Sequence, residues 1–255
     1  MSRSIEDSAR DSFTARAEHY VTSATHADPS RLARIVEMTA PKAGWKALDV
    51  GTGTGHTAFA FAPAVAWVTA VDLTEAMLKQ AERMRKDRGY GNVELRVADV
   101  HALPFPDGAF DLVTCRRAAH HFSDIAGALG EMHRVLKPGG RLVVDDRSAP
   151  EDPEVDSILH RLDGLHDHSH VRQYRPSEWQ RLVGAAGFTV TAVETYEQER
   201  PLTAYTKDVE AADVVEISDI VAGLSPRQRE VLNVEEIDGQ LYLRHFYLTL
   251  VADRP

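Results

Sequence analysis

Leu48-Asp49-Val50-Gly51-Thr52-Gly53-Thr54-Gly55-His56 sets a glycine loop directly between a strand and a helix. In open α/β sheets ligands bind beyond the carboxyl ends of the strands, so this loop lies where a nucleotide-like ligand goes. Glycine is needed there because a side chain keeps the ligand off the backbone, or clashes where φ is positive. The pattern is G-x-G-x-G. A dinucleotide fingerprint needs a third glycine at position 56, which is His56, and no Lys-Ser/Thr follows to make a phosphate loop. Taken alone, the loop also fits a purely structural tight turn.

Its neighbours add weight. Asp72 closes the next strand, 21 residues after Gly51, where a carboxylate can accept both hydroxyls of a ribose. Asp99 closes the strand after that and is followed by Val100, which suits an adenine amino group and ring face. Each acid has a plainer reading, Asp72 as a helix N-terminal acid and Asp99 as a turn residue. Two of them at consecutive strand ends beside a glycine loop point together to a ligand.

Short β-rich runs alternate with helical stretches around this motif. Strands are expected over Trp45–Val50, Ala64–Val71, Val93–Ala98, Phe110–Cys115 and Arg141–Asp145. Thr74 can cap a helix carrying Met77, Leu78, Ala81 and Met84, and Ser123 or Asp124 a helix carrying Ile125, Leu129 and Met132. Such alternation predicts an α/β fold, a doubly wound, mostly parallel sheet covered on both faces. Two helices split at Asp28-Pro29 precede it. A helix near Pro153–Leu162, a His-rich loop, a Ser177-x-x-Gln180 capping box and strands over Phe188–Tyr196 and Gln240–Ala252 follow.

The chain has 255 residues, 43% of them hydrophobic, and a formal net charge of −10. That acidity argues against nucleic acid or an anionic membrane as partner, since phosphate binding needs clustered positive charge. One cysteine, Cys115, excludes an intrachain disulfide and fits a reducing, cytoplasmic setting. The polar, mixed-charge opening MSRSIEDSARDSFTARAEHY is not a secretory signal. The longest apolar run, Ala58 to Val68, is too short to span a bilayer and contains Pro63.

LDVGTGTGH, VDLTEAML, ADVHALPFPDGAFDLV and LKPGGRLVVDD resemble the successive motifs of class I S-adenosylmethionine-dependent methyltransferases. The branch is similar to the ubiquinone/menaquinone-biosynthesis C-methyltransferases. The resemblance implies a Rossmann-like, seven-stranded sheet whose last strand runs antiparallel. It implies a single methyltransferase domain over residues 1–255: an N-terminal helical cap (1–42), a cofactor-binding core (43–150) and substrate-side helices with the last two strands (151–255). For S-adenosylmethionine and its product S-adenosylhomocysteine, it implies contacts at Gly51, Thr52 and Gly53 (methionine part), Asp72 and Leu73 (ribose), and Asp99 and Val100 (adenine). Arg116 matches a position that touches the cofactor, and Phe13 and Tyr20 match N-terminal aromatics that close over it.

Methyl transfer from a sulfonium needs alignment and exclusion of water, and a general base only where the acceptor arrives protonated. Candidate catalytic residues follow the fourth and fifth strands. In Arg116-Arg117-Ala118-Ala119-His120-His121-Phe122 either His120 or His121 is expected to face the pocket, the other to pack or face solvent, and His121 is taken as the catalytic candidate. In His166-Asp167-His168-Ser169-His170-Val171-Arg172 the candidates are His170 and Arg172. Relatives share the Asp-x-Ser-His-x-Arg pattern of that stretch. Histidines at every second position also suggest a metal, but a solvated polar loop accounts for them better and no metal is expected. Where amino-methylating nucleic-acid enzymes carry D/N-P-P-Y/F, this chain reads Thr114-Cys115-Arg116-Arg117, so a small organic acceptor is the default. The competing readings are a cofactor-binding protein without methyl transfer and an NAD-dependent oxidoreductase. The apolar Val214, Val215, Ile217, Ile220 and Val221 fit either a lid or a homodimer surface.

Overall fold

The structure, a computed structural model, describes residues 10, 13, 14, 17, 18, 20, 21, 23 and 25–255. The first expected helix falls mostly outside them. The second is the helix Pro29–Thr39. Pro29 sets its first turn, and the Asp28 carboxylate accepts the amides of Ser30 and Arg31.

The sheet contains β1 (Lys46–Val50), β2 (Trp67–Asp72), β3 (Val93–Val97), β4 (Phe110–Arg116), β5 (Leu136–Ser148), β6 (Thr189–Pro201), β7 (Glu235–Ile237) and β8 (Gln240–Asp253). Their order is β3-β2-β1-β4-β5-β8-β6, with β7 paired to β8. The pairings among β1 to β5 are parallel, and β8 runs antiparallel to both β5 and β6. The expected α/β architecture is therefore present, with one strand beyond the seven anticipated. That strand, β7, forms a hairpin with β8 through Asp238-Gly239, where both residues have positive φ (52° and 75°). An Asp-Gly pair of this conformation matches the twist of a two-residue hairpin.

Four of the five residues of β1 are buried, as expected of a central strand covered on both faces. One apolar layer joins Leu48, Val50, Val113 and Leu142 to Leu129 and Met132 of the helix Ile125–Val135 and to Trp179 and Val183 of the helix Pro176–Ala185. Ile35, Phe59, Phe61, Val68 and Val143 form the other layer. A third cluster packs Ile217, Val221 and Leu232 from the region between β6 and β7 against Val155, Leu159 and Leu162 of the helix Pro153–His166. Ile217 and Val221 are thus spent on packing within the chain, whereas Val215 is exposed.

The capping box at Ser177 is a correction. The helix begins one residue earlier, at Pro176, and the Glu178 carboxylate accepts the Arg175 amide at 2.9 Å. Ser177 instead donates its amide (2.8 Å) and hydroxyl (2.7 Å) to Glu151. Among the described residues no helix is long and apolar enough to cross a membrane.

Candidate active site

β1 is flanked by β2 on one side and β4 on the other, so chain direction along the sheet reverses there and a crevice opens above the strand ends. The loop after β1 and the segment after β4 form its walls at backbone distance. Gly51 has φ +64°, and a Cβ there would stand 2.5 Å from the Cβ of Ala118. Gly53 has φ +55° and open space where a Cβ would be. Beneath the loop lies Asp49, 1% exposed, which accepts the hydroxyls of Thr52 and Thr114 at 2.6 Å each. Burial pushes its carboxyl up to about 6, against the pull of those two hydrogen bonds.

The two acids predicted to meet a ligand are oriented by backbone donors. Asp72 accepts the Gly53 amide at 2.8 Å on one oxygen and the Thr74 amide at 2.9 Å on the other. Burial pushes its carboxyl above the usual range. Asp99 accepts the His101 amide at 2.9 Å and meets His101 Nδ1 at 2.9 Å.

A cavity of about 980 Å³, counting its open mouth, occupies this crevice. Tyr20, Gly51, Thr52, Gly53, Asp72, Leu73, Asp99, Val100 and Arg116 all line it. Ala98, Met77 and Phe122 add apolar wall. Arg116 donates to the carbonyls of His26 (3.1 Å) and Thr25 (3.0 Å), which fastens the N-terminal segment over the site. Burial lowers its guanidinium's affinity for protons, and Asp145, 3.3 Å from Nε, opposes the shift.

Arg117, a cavity residue the sequence reading passed over, has φ +55°. A left-handed conformation is unfavourable for a long side chain and recurs at functional sites. Its amide donates to the Asp145 carbonyl at 2.8 Å, its guanidinium lies 3.8 Å over the Tyr247 ring, and it donates to the Tyr196 hydroxyl at 3.1 Å. Asp145, 1% exposed, draws in Arg31, Arg116 and Arg117 at 3.2, 3.3 and 3.5 Å. Asp145 sits within an apolar strand run, and none of its three cations is near it in sequence, so no local pattern announced it.

The adjacent histidines divide as anticipated. His120 turns inward: its Nδ1 meets Asp146 at 2.6 Å, and burial holds it well below the usual imidazole range. His121 lines the cavity, with the Phe13 ring edge-on at a centroid distance of 4.9 Å. His170 and Arg172, expected beside the methyl group, are not among the cavity residues. Arg172 donates to both oxygens of Asp156, at 2.9 and 2.7 Å, so its guanidinium is already committed. His170 faces His160, with 3.3 Å between ring nitrogens, and burial lowers it to about 2. Trp179 is 1% exposed and packs edge-on against Tyr174, as a core residue. Among the described residues no three His, Cys, Asp or Glu side chains converge as a metal would require.

A glycine loop and two strand-end acids lining one crevice at the reversal point of a sheet ordered 3-2-1-4-5-8-6 define a class I methyltransferase fold. The chain belongs to the S-adenosylmethionine-dependent methyltransferases. A family profile described as a methyltransferase domain matches residues 48–144. The uncharacterized methyltransferase YcgJ of Bacillus subtilis is 41% identical over 173 residues, 68% of this chain and 68% of that protein. Its crystal structure covers 88% of this chain and 97% of that one, with a TM-score of 0.83 and 31% identity over the wider alignment. A putative methyltransferase from Bacillus halodurans covers 89% and 99%, with a TM-score of 0.85 and 34% identity. The demethylmenaquinone methyltransferase of Thermus thermophilus is 46% identical over 114 residues, 44% of this chain and 51% of that protein.

Proposed function

We propose that the cavity binds S-adenosylmethionine and that the enzyme passes its methyl group to a small organic acceptor, by C-, O- or N-methylation. In this reading Gly51, Thr52, Gly53, Arg116 and Tyr20 hold the methionine part. Asp72 and Leu73 hold the ribose, and Asp99 and Val100 the adenine. The observation that carries the reading is that these nine residues, drawn from five separate stretches of chain, line a single cavity.

The cavity's chemistry suits the group. Open space at Gly53 admits a ligand to the backbone, Asp72 offers a carboxylate already aligned by two amides, and Val100, Ala98 and Phe122 give an apolar face for a ring. When bound, S-adenosylmethionine supplies an electrophilic methyl carbon on a positively charged sulfur. The chain's part is to align the acceptor and exclude water. Phe13 and Tyr20, at 5.9 Å between ring centroids, contribute an aromatic cover. His121 offers the acceptor an imidazole. His170 and Arg172 serve the reaction by shaping the loop behind His121, where the carbonyl of His120 accepts the amides of Val171 (2.8 Å) and Arg172 (3.2 Å).

The net charge of −10 and the absence of the amino-methylating signature after β4 favour a small metabolite over nucleic acid. A quinone-type acceptor, suggested by the name of the Thermus relative, falls within this class. An acceptor screen that follows S-adenosylhomocysteine release tests the reading. Turnover is expected with phenolic, enolic or amine metabolites and not with RNA or DNA. Turnover confined to nucleic acid would overturn it.

A further inference from the structure

His121 shows its two ring nitrogens very different surroundings. Nδ1 lies 3.0 Å from the backbone carbonyl of Ser169 and 3.1 Å from the Ser169 hydroxyl oxygen. A carbonyl can only accept a hydrogen bond. The hydroxyl is constrained as well, because it donates its own proton to Asp167 Oδ1 at 2.6 Å, and the Ser169 amide donates to that same oxygen at 2.9 Å. Both groups facing Nδ1 are therefore acceptors, so Nδ1 carries the proton of the neutral ring. His121 lines the cavity, and Nε2 is the nitrogen left for a ligand.

We infer that Asp167 and Ser169 are positioning residues that hold His121 as the Nδ1–H tautomer, so that an unprotonated Nε2 faces the methyl acceptor as a general base. The acceptor's nucleophile then belongs to the class that arrives protonated: a hydroxyl, a phenol or enol, an amine, or an activated carbon. The proton would pass from that group to Nε2, the electron pair it leaves behind would form the bond to the methyl carbon, and the methyl–sulfur bond would break with its pair returning to sulfur, leaving neutral S-adenosylhomocysteine. The imidazolium so formed keeps its Nδ1–H bonds to Ser169 and later returns the proton to water. The carboxylate acts through the serine, as a buried acid orients a catalytic histidine in other enzymes. His120, at 4.1 Å between ring centroids, is not a substitute base, because it is not among the residues that line the cavity. The Asp-x-Ser-His-x-Arg stretch thereby gains a purpose for its first two members, and Arg172 anchors the loop through Asp156.

The inference rests on the methyltransferase reading of the cavity, but its test does not require an acceptor. Heteronuclear NMR on isotopically labelled full-length protein reads the tautomer of each histidine above the imidazole titration range, with His121→Gln to assign the signal. The expected result is a protonated, pyrrole-type Nδ1 and an unprotonated, pyridine-type Nε2 for His121. Asp167→Ala, which removes the acceptor of the Ser169 hydroxyl proton and lets that hydroxyl donate to Nδ1, is expected to shift part of the population toward Nε2–H. Ser169→Thr, which keeps the hydroxyl, is expected to preserve the wild-type pattern. A wild-type His121 protonated at Nε2, or a tautomer unmoved by Asp167→Ala, would overturn the inference. Failure to bind S-adenosylmethionine would instead overturn the reading beneath it, so the two failures are distinguishable.

Discussion

Asp72 accepts the backbone amide of Gly53 at 2.8 Å, which makes the acid that ends the second strand and the glycine loop that follows the first a single hydrogen-bonded unit. Gly53 itself takes a left-handed conformation, with φ +55°.

Gly51 and Gly53 of the loop are expected to fail differently. Both have positive φ, so an alanine at either costs about 1–2 kcal/mol of backbone strain. At Gly51 the new methyl also meets Ala118 at 2.5 Å, and overpacking of that kind adds roughly 1–3 kcal/mol. Gly51→Ala should therefore lower the urea unfolding midpoint clearly more than Gly53→Ala does. Gly53→Ala should instead weaken cofactor binding more than it weakens the fold, because its methyl projects into open space at the cavity. Equal stability losses would contradict the geometry.

Asp49 makes a pH prediction whose sign is fixed by burial. Its folded carboxyl lies at about 6, above the ordinary value of 3.8, so the fold favours the protonated acid. That contribution is fully present below the ordinary value and is lost as pH rises through about 6. Asp49→Asn keeps the shape and a hydrogen-bonding oxygen without the ionisation. Its stability relative to wild type should rise across that interval and then level off. Parallel pH–stability curves from denaturant titrations would show the carboxyl to be unperturbed.

Much of the site was legible because its parts are short and local. A glycine loop between an apolar run and a helix, and acids that end strands, carry their position in the sequence itself. What escaped reading depends on partners far along the chain. Arg172 has the look of a ligand-binding residue within a His-rich loop. Its partner Asp156 lies 16 residues upstream on a helix whose face toward the loop no single-chain pattern reveals. Asp145 and its three arginines meet only after the sheet has formed. His120 and His121 sit in a single helical turn, too short to show a periodicity. At the helix Pro176–Ala185 the signal was present and outweighed, since Pro176 at the first position and Glu178 at the third mark its start better than Ser177 does.

The Arg172–Asp156 pair is expected to contribute to stability rather than to cofactor affinity. Arg172→Ala and Asp156→Ala should each destabilise. Their combined effect should fall short of the sum by roughly 0.5–3 kcal/mol, the coupling expected of a pair in direct contact. S-adenosylmethionine affinity should be unchanged in the Arg172 variant. Additive stability losses together with a loss of cofactor affinity would return Arg172 to the binding site.

The S-adenosylmethionine site proposed above is the crevice above β1, β2 and β4. Isothermal titration calorimetry of wild type and Asp72→Ala tests it most directly, with thermal unfolding confirming that the variant is folded. Wild-type binding of about micromolar strength is expected. Asp72→Ala should weaken it roughly tenfold or more, about 1.4 kcal/mol, as the ribose loses its carboxylate. No binding by the wild type, or equal binding by a folded Asp72→Ala, would contradict it.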